Sequence, residues 1–599
     1  MDDATVSLLI LAAVIALFVW NRLPVGVVAI LTALSLWATG ILSSTAVLAG
    51  FGDPVVVFIA TLFVVSEGID GTGVTTWLGQ AIVTRAGTQR SRLLVAVCAL
   101  SAVLTALITL NGSVAALLPL VIVLAVRIKE PPSQMLMPLA FAGSAGSLLM
   151  LTGSPVNVIV SEAAQGAGAG PFPFFSFALV GLPMLAGTIV ICVTLGPRLL
   201  PHTQPVGLPP DLAMHAATLE EHYALTDGMF QLRVRELSPF VGVPAGDLEL
   251  SAYEGVVVVG AQDVAGRSSM SEPLKVDDIL VVGGPPDRVS RLAIEKLLAV
   301  TIDGSGGVDE LLTREAGAVE VVIPPRSSLV GQTVYPGMKR AHDLVILAVQ
   351  RMGTNRGQRP TVVTEGDALL LHGSWASLEA LTSDRDVLVV DSPDIIRRQA
   401  LPWGPQATTA VVILLGMVVL LATGLVPPAI AGLLAATAMV LTRVVEVQQA
   451  YRSVSWQTVV LIGGLIPLST AIRTSGAADR ISAVIISAVG SGRPYLLLLA
   501  LFVLTAVLGQ VVSNTATVLI VTPIAVSAAA ATHTSVQPVL MLIAVAGAAA
   551  LLTPIATPAN MMVMNPAGYR FGDYWKLGLP VMLWWLVVAL VVIPLVWRF

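Results

Sequence analysis

Seven asparagines occur in the 599 residues, and four of them lie in apolar runs beside hydroxyl, glycine and proline neighbours. The runs are Asn111-Gly112-Ser113, Gly153-Ser154-Pro155-Val156-Asn157, Ser513-Asn514-Thr515 and Ala556-Thr557-Pro558-Ala559-Asn560. An asparagine side chain offers an amide donor and a carbonyl acceptor, and a serine or threonine adds a hydroxyl. Proline inside an apolar helix interrupts the hydrogen-bond ladder and unwinds it locally. Such a break exposes orphan amides on one half-helix and orphan carbonyls on the other. The amides and the positive dipole end attract an anion, while carbonyls suit a small hard cation such as Na+. The chemistry on offer is therefore non-covalent recognition, with Asn111, Ser113, Ser154, Asn157, Asn514, Thr515, Thr557 and Asn560 expected to line a site.

The four runs are two copies of one pattern. Asn111 and Asn157 are 46 residues apart, as are Asn514 and Asn560, and a shift of 403 residues relates the pairs. The same shift carries Gly73 onto Gly476 and Pro155 onto Pro558. Pro119 and Pro523 miss it by one residue, which places a local slip just after Asn111.

An apolar frame must position these residues. The chain is 55% hydrophobic and 12% charged, against roughly 25% charged in soluble domains. Residues 205–400 carry 17 Lys/Arg and 27 Asp/Glu, a net charge of −10, so a soluble acidic insert separates membrane halves 1–204 and 401–599. A span needs about 20 apolar residues. The first half offers Thr5–Trp20, Val25–Leu42, Pro54–Gly68, Met135–Val160 and Phe174–Leu195. The second offers Thr408–Leu425, Ala429–Leu441, Thr458–Ala471, Val536–Met562 and Leu577–Trp597. The runs 93–128 and 495–532 are long enough for two helices, and each is interrupted at its asparagine. They read as re-entrant hairpins, since non-helical backbone is tolerated at mid-depth only inside protein or facing a cavity. Five spans and one hairpin make an odd number of crossings, so the second copy is inverted. The expected fold is a polytopic α-helical membrane protein of two inverted repeats, an arrangement typical of secondary transporters.

Charge gives the orientation. Ser43–Asp53 and Ser161–Pro173 contain no Lys or Arg, whereas Arg22, Arg85, Arg90, Arg92, Arg127, Lys129, Arg198, Arg443, Arg452, Arg570 and Lys576 fall on the other side. The positive-inside rule then puts the N-terminus outside and insert 205–400 in the cytoplasm of a multi-pass protein in the cell membrane bilayer. Arg480 and Arg493 are exceptions. Met1-Asp2-Asp3 lacks the basic start of a signal peptide, so the first apolar run is expected to be a span.

The insert repeats as well. Gly242 and Gly331 each stand 36 residues before an aspartate, Asp278 and Asp367, that opens an apolar run. Strand-like runs Gly255–Gly260, Asp343–Gln350 and Asp386–Val390 alternate with helical candidates Arg288–Leu298 and Ser374–Leu381, which reads as two α+β modules at 205–300 and 301–400.

Other chemistries are poorly served. The negative balance argues against nucleic acid, and Cys98 and Cys192 lie singly in apolar runs. No phosphate loop, nucleophile–base pair or metal-ligand cluster stands out, so neither an enzyme nor a cofactor is expected. No Lys, Arg, His or paired Asp lies at mid-depth to relay protons; Glu67 and Asp70, near one end of the third span, read as interfacial. Neutral oxygens coordinating Na+ are then the simpler coupling device.

At these residues the chain resembles the divalent anion/sodium symporters of solute carrier family 13, within the ion-transporter superfamily. That family carries Ser-Asn-Thr at each hairpin tip. Ser513-Asn514-Thr515 matches it fully, while Leu110-Asn111-Gly112 keeps the central asparagine, with Ser113 one place later. The family's Gly-Thr-Pro-Pro-Asn motif is matched by Gly153–Asn157 and Ala556–Asn560. The resemblance implies Na+ sites near Asn111, Gly153, Asn514 and Ala556, and substrate contacts from Gly112, Pro155, Ser513 and Pro558 besides the residues above. It further implies a homodimer working by an elevator motion, with sulfate narrowly ahead of a C4-dicarboxylate as the anion. The insert resembles a tandem of TrkA-C-type domains, which implies a small-molecule regulator. An anion sensor would need the same site; a channel or cation transporter gated by the tandem is the other alternative. A channel should show a Thr-Val-Gly-Tyr-Gly-like filter, which the sequence lacks.

Overall fold

The computed structural model describes residues 2–20, 22–75, 77–78, 81, 89–203, 229–262, 272–300, 316–334, 339–340, 344–356, 361–390, 404, 406–489 and 493–599. Arg85 and Asp343, with the expected module boundaries near 204–228, 301–315 and 391–403, lie outside the described residues. The chain divides into two compact units, Met1–Pro209 with Pro405–Phe599, and Pro210–Gly404.

The first unit is helical. Its first half runs Asp3–Trp20, Val25–Ala38, Ser44–Ala49, Pro54–Gly71, a hairpin of Arg90–Leu107 and Leu110–Arg127, a broken helix of Ser133–Gly146 and Pro155–Gly166, and Ala178–Thr194. The second half repeats this as Ala407–Thr423, Pro428–Leu441, Val447–Ser453 and Trp456–Thr474, followed by Ala477–Val489. Then come a hairpin of Pro494–Gly509 and Asn514–Ala531, a broken helix of Val536–Ala548 and Pro558–Ala567, and Tyr574–Val596. Six described helices are long and apolar enough to cross a membrane.

Turn geometry repeats along with helix order. Gly73 and Gly476 both take positive φ, 77° and 79°, and so do Lys129 and His533, 60° and 54°. The halves interlock reciprocally: Val25–Ala38 packs on Trp456–Thr474, and Pro54–Gly71 packs on Pro428–Leu441.

Several features differ from the sequence reading, and Val447–Ser453 and Ala477–Val489 are helices it did not include. The supposed loop Ser43–Asp53 contains a helix, Ser44–Ala49, capped by the Ser43 hydroxyl, and then a 3-10 turn. The one-residue slip also falls earlier than just after Asn111. The second hairpin arms begin at Leu110 and Asn514, a shift of 404, and the 403 shift is restored only at Ser133 and Val536.

Close packing fixes the last helix of each half against the broken helix. A Cβ on Gly181 would lie 2.3 Å from the Leu148 carbonyl oxygen, and one on Gly578 would lie 2.1 Å from that of Leu551. Only glycine permits this approach.

The insert unit holds two modules of one topology. In the first, β1 (Met229–Val234), β2 (Val257–Gln262), β3 (Ile279–Gly283) and β4 (Leu298–Val300) form an antiparallel sheet in the order β2-β3-β1-β4. In the second, β5 (Ala316–Val322), β6 (Leu344–Arg351), β7 (Ala368–Ser374) and β8 (Leu388–Val389) repeat the order as β6-β7-β5-β8. Helices Pro286–Glu295 and Trp375–Ala380 follow the third strand of each module. The two aspartates do the same work in both, Asp278 accepting from the Lys275 N–H at 2.7 Å and Asp367 from that of Thr364 at 2.8 Å. Asp367 also receives a bidentate pair from Arg351, 2.7 and 2.8 Å. Its burial alone would raise its pKa; the guanidinium and the Thr364 N–H outweigh that and hold the carboxyl below the usual range.

Gly578→Ala should therefore cost about 1–3 kcal/mol, read as a lower melting temperature of the detergent-solubilised chain, whereas Gly572→Ala, which meets nothing within 4 Å, should not. Burial holds the His372 imidazole of β7 down to about 4, below the unfolded value near 6.5. The folded module thus binds this proton later than the unfolded chain, and stability is lost as pH falls from about 6.5 to about 4. Protection factors of the β7 amides, with the intrinsic pH dependence of exchange divided out, should fall over that window in wild type and less in His372→Leu.

Candidate functional site

The two broken helices are built alike. After Gly146 the chain leaves helical geometry, makes a 3-10 turn at Leu151–Gly153 and restarts at Pro155. After Ala548 it does the same, with a turn at Pro554–Ala556 and a restart at Pro558. Proline suits a first helical position because its missing N–H is an orphan there anyway. The residue before it is driven to extended geometry, and Ser154 and Thr557 are both extended N-caps. Their hydroxyls accept from the Val156 and Asn560 N–H groups, each at 3.2 Å.

Asparagine amides hold each break. Asn157 Nδ2 donates to the carbonyls of Ser147 (2.7 Å) and Met150 (2.9 Å). Asn560 Nδ2 donates to those of Ala550 (3.0 Å) and Thr553 (3.1 Å), the same positions one repeat later. Two carbonyl acceptors fix which end of each amide is nitrogen. The Oδ1 atoms of Asn157 and Asn560 consequently point elsewhere, buried and without a partner. The first break is the tighter: a Cβ at Gly153 would lie 2.5 Å from the Ser147 carbonyl oxygen, whereas Ala556 carries a Cβ at the equivalent place.

The hairpin tips are capped by hydroxyls. Ser513 Oγ accepts from the Ala516 N–H at 3.4 Å, and Thr109 Oγ1 accepts from that of Gly112 at 3.1 Å. Thr109, which the sequence reading did not select, is thus the counterpart of Ser513. By the same register Asn111 stands opposite Thr515 and not opposite Asn514. Asn111 is exposed, and the Ser113 hydroxyl is occupied, donating to the Ser101 carbonyl at 3.0 Å. Asn514 and Thr515 are half-buried, and Asn514 Oδ1 is a third buried oxygen without a partner.

Each hairpin packs against the broken helix of the other half. Asn514–Ala531 lies on Pro155–Gly166, and Leu110–Arg127 lies on Pro558–Ala567. A Cβ on Gly547 would approach both Val518 and Val156, so the first turns of two restarting helices stand side by side. Helix N-termini gathered this way present orphan N–H groups and positive dipole ends to one region.

Gln510 is a further functional residue that sequence reasoning missed. Its Nε2 donates to the Ala506 (2.9 Å) and Ala549 (3.1 Å) carbonyls, and its Oε1 accepts from the Leu552 N–H at 2.8 Å. Thr553 Oγ1 donates to the Gln510 carbonyl at 2.9 Å, so the second tip and the second break are bonded as one piece. Its signal was a lone glutamine in the apolar run 495–532. The first half has Ala106 at this register, reached only by the Thr152 hydroxyl at 3.3 Å. Glu67 and Asp70 are engaged by Gln449 (2.7 Å) and Thr75 (2.8 Å).

A duplicated, inverted scaffold with paired helix breaks around unpartnered amide oxygens defines a secondary transporter. The chain matches the citrate transporter family, CitMHS, over residues 15–490 and 468–599, and it belongs to that family. It is 30% identical over 606 residues to "Uncharacterized transporter YfbS" of Escherichia coli (strain K12), covering 98% of each chain. It is also similar, at 24% over 400 residues, to "Sodium/sulfate cotransporter 1" of Chlamydomonas reinhardtii, covering 61% of this chain and 44% of that one. A solved transporter, Alcanivorax borkumensis YdaH, shares 15% identity at a TM-score of 0.46, covering 98% of this chain and 99% of that one. The protein is thus a multi-pass secondary transporter of the citrate and sodium/sulfate cotransporter type, not an enzyme.

Asn560→Ala strips two buried carbonyls of their donor, and Gln510→Ala releases the tip from the break. Each orphaned buried group costs about 1–3 kcal/mol, so both variants should melt earlier than wild type. Asn111→Ala, at an exposed position, should not.

Proposed function

We propose that the protein couples inward movement of Na+ to uptake of a divalent anion, sulfate ahead of a C4-dicarboxylate. The observation that carries this reading is the set of three buried, unpartnered oxygens, on Asn157, Asn514 and Asn560, beside helix N-termini. Oxygens of this kind coordinate a hard cation, and the adjoining N–H groups and hydroxyls hold a fully ionised anion without an arginine. Na+ would bind near Gly153, Asn514 and Ala556, with a site near Asn111 completed from the first tip. The anion would be met by Ser154, Ser513, Thr515 and Thr557. The names of relatives support Na+ and sulfate, and the family name adds citrate to the anions worth testing.

We further place the N-terminus outside the cell membrane and the insert in the cytoplasm, where its tandem modules act as TrkA-C-like regulators answering to a small molecule. Arg480, an exception to the charge rule, pairs with Asp2 at 2.5 Å, which keeps both on one side. The working form is a homodimer in which tips and broken helices move as a block.

Reconstituted protein should take up radiolabelled sulfate when an inward Na+ gradient is imposed and lose that uptake when choline replaces Na+. Succinate and citrate serve as comparison anions. Asn514→Ala should abolish uptake while remaining folded in detergent; uptake at the wild-type rate would sink the site assignment. Sodium-independent uptake would reject the coupling.

A further inference from the structure

A cavity opens on the face that carries Asp53, and none of the four asparagines lines it. It encloses about 240 Å³ between four elements: the start of Pro54–Gly71, the end of Pro155–Gly166, the end of Trp456–Thr474 and the middle of Asn514–Ala531. Asp53, Glu162, Ser469, Thr470, Arg473 and Thr522 supply its polar lining. Nothing in the transport reading above uses these residues.

Most of the lining is apolar, the Thr470 hydroxyl donates to the Ile466 carbonyl at 3.3 Å, and several of the other polar groups are unpaired. Thr522 is 5% exposed, and its Oγ1 is buried with no hydrogen-bond partner. Among the described residues no ion pair or hydrogen bond engages the side chains of Glu162, Ser469 or Arg473. Asp53 spends one carboxylate oxygen on capping Val55, at 2.9 Å, and keeps the other. Pro523 has no N–H to donate, so the carbonyl of Leu519, which also lines the cavity, lacks its helical partner. Ser469 repeats Ser66 one shift later. Ser66 donates to the Ile108 carbonyl at the first hairpin tip, 3.0 Å, whereas Ser469 faces the cavity instead.

These groups are acceptors apart from the hydroxyl protons and one guanidinium. Two carboxylates against Arg473 leave one net negative charge, which a single monovalent cation neutralises. Oxygen-only donors select hard cations. No group of three or more His, Cys, Asp or Glu placed for a metal ion occurs among the described residues, so a more highly charged ion finds too few carboxylates. An anion would meet two like charges for one arginine.

We propose that this cavity is a binding site for a hard monovalent cation, Na+, held by Glu162, Asp53, the Thr522 hydroxyl and the freed Leu519 carbonyl. No hairpin-tip residue lines it, and it stands whether or not the tips couple Na+ to anion uptake.

The native cysteines, Cys98 and Cys192, are both buried, so one introduced thiol reports on the cavity alone. Ala167 is exposed and lines it. In purified full-length Ala167→Cys, labelling by a neutral maleimide should slow as Na+ replaces choline at constant ionic strength. Adding Glu162→Gln, at an exposed position, should raise the Na+ concentration for half-protection about tenfold, the change that 1.4 kcal/mol produces. Thr522→Val, of the same shape, should also weaken it. Adding Asn514→Ala should leave protection intact even where it abolishes uptake. Protection unchanged in both Glu162→Gln and Thr522→Val would overturn the site. So would protection lost in Asn514→Ala, which would mark it as a remote effect of the tips, or protection by Mg2+ or Ca2+ and not by Na+.

Discussion

A backbone N–H or C=O inside a bilayer must find its partner within the protein, and a helix broken at mid-depth violates that requirement unless a side chain repairs it. In this chain the repair is an asparagine amide. Asn157 and Asn560 each spend both N–H bonds on two carbonyls freed by the break. The remainder of the site follows from that act. With the nitrogen committed, the oxygen is left over, buried and turned away from the backbone it supports. The residue that makes the break tolerable is also the one that leaves an unpartnered oxygen beside it.

The repair is supported from several directions. Gly181 and Gly578 let the last helix of each half press on the unwound segment. Tyr574 donates to the Asn560 carbonyl at 2.6 Å, and the Tyr569 hydroxyl donates to the Ser133 carbonyl while accepting from the Met137 N–H, tying second-half residues to the first broken helix. Thr203 and Trp585 bridge the halves again, to the Ala567 carbonyl (2.6 Å) and the Thr188 hydroxyl (2.9 Å). The halves are not equal, however. The Gln510 side chain locks the second tip to its break with two hydrogen bonds, to Ala549 and Leu552, and Ala106, at this register in the first half, has no side chain to match them. The second tip and break are the more tightly bonded pair.

Much of this was legible in the sequence, because asparagine is rare in apolar segments and a repeated spacing of rare residues survives local change. The order of the long apolar helices, the breaks at Gly153–Asn157 and Ala556–Asn560, and the doubled modules of the insert follow from composition and spacing, whereas the helices Ser44–Ala49, Val447–Ser453 and Ala477–Val489 do not. The tips were less legible. Matching Asn111 to Asn514 by identity is reasonable from letters alone, yet the backbone aligns caps, and Thr109 is the residue that caps as Ser513 does. Capping depends on an extended dihedral at one position, which residue type only suggests. Gln510 showed only as a lone glutamine in an apolar run: two of its three side-chain partners are backbone atoms some 40 residues away, and nothing in a local pattern points to them.

The most direct measurement is a cryo-electron microscopy map of the reconstituted protein with Na+ and sulfate, set against one in choline. The account predicts ordered density within coordination reach of Asn514 Oδ1 and of the Asn157 and Asn560 oxygens, with their nitrogens still on the four freed carbonyls. Ligand density remote from all three oxygens, or breaks that close into continuous helix when ligand is removed, would contradict it.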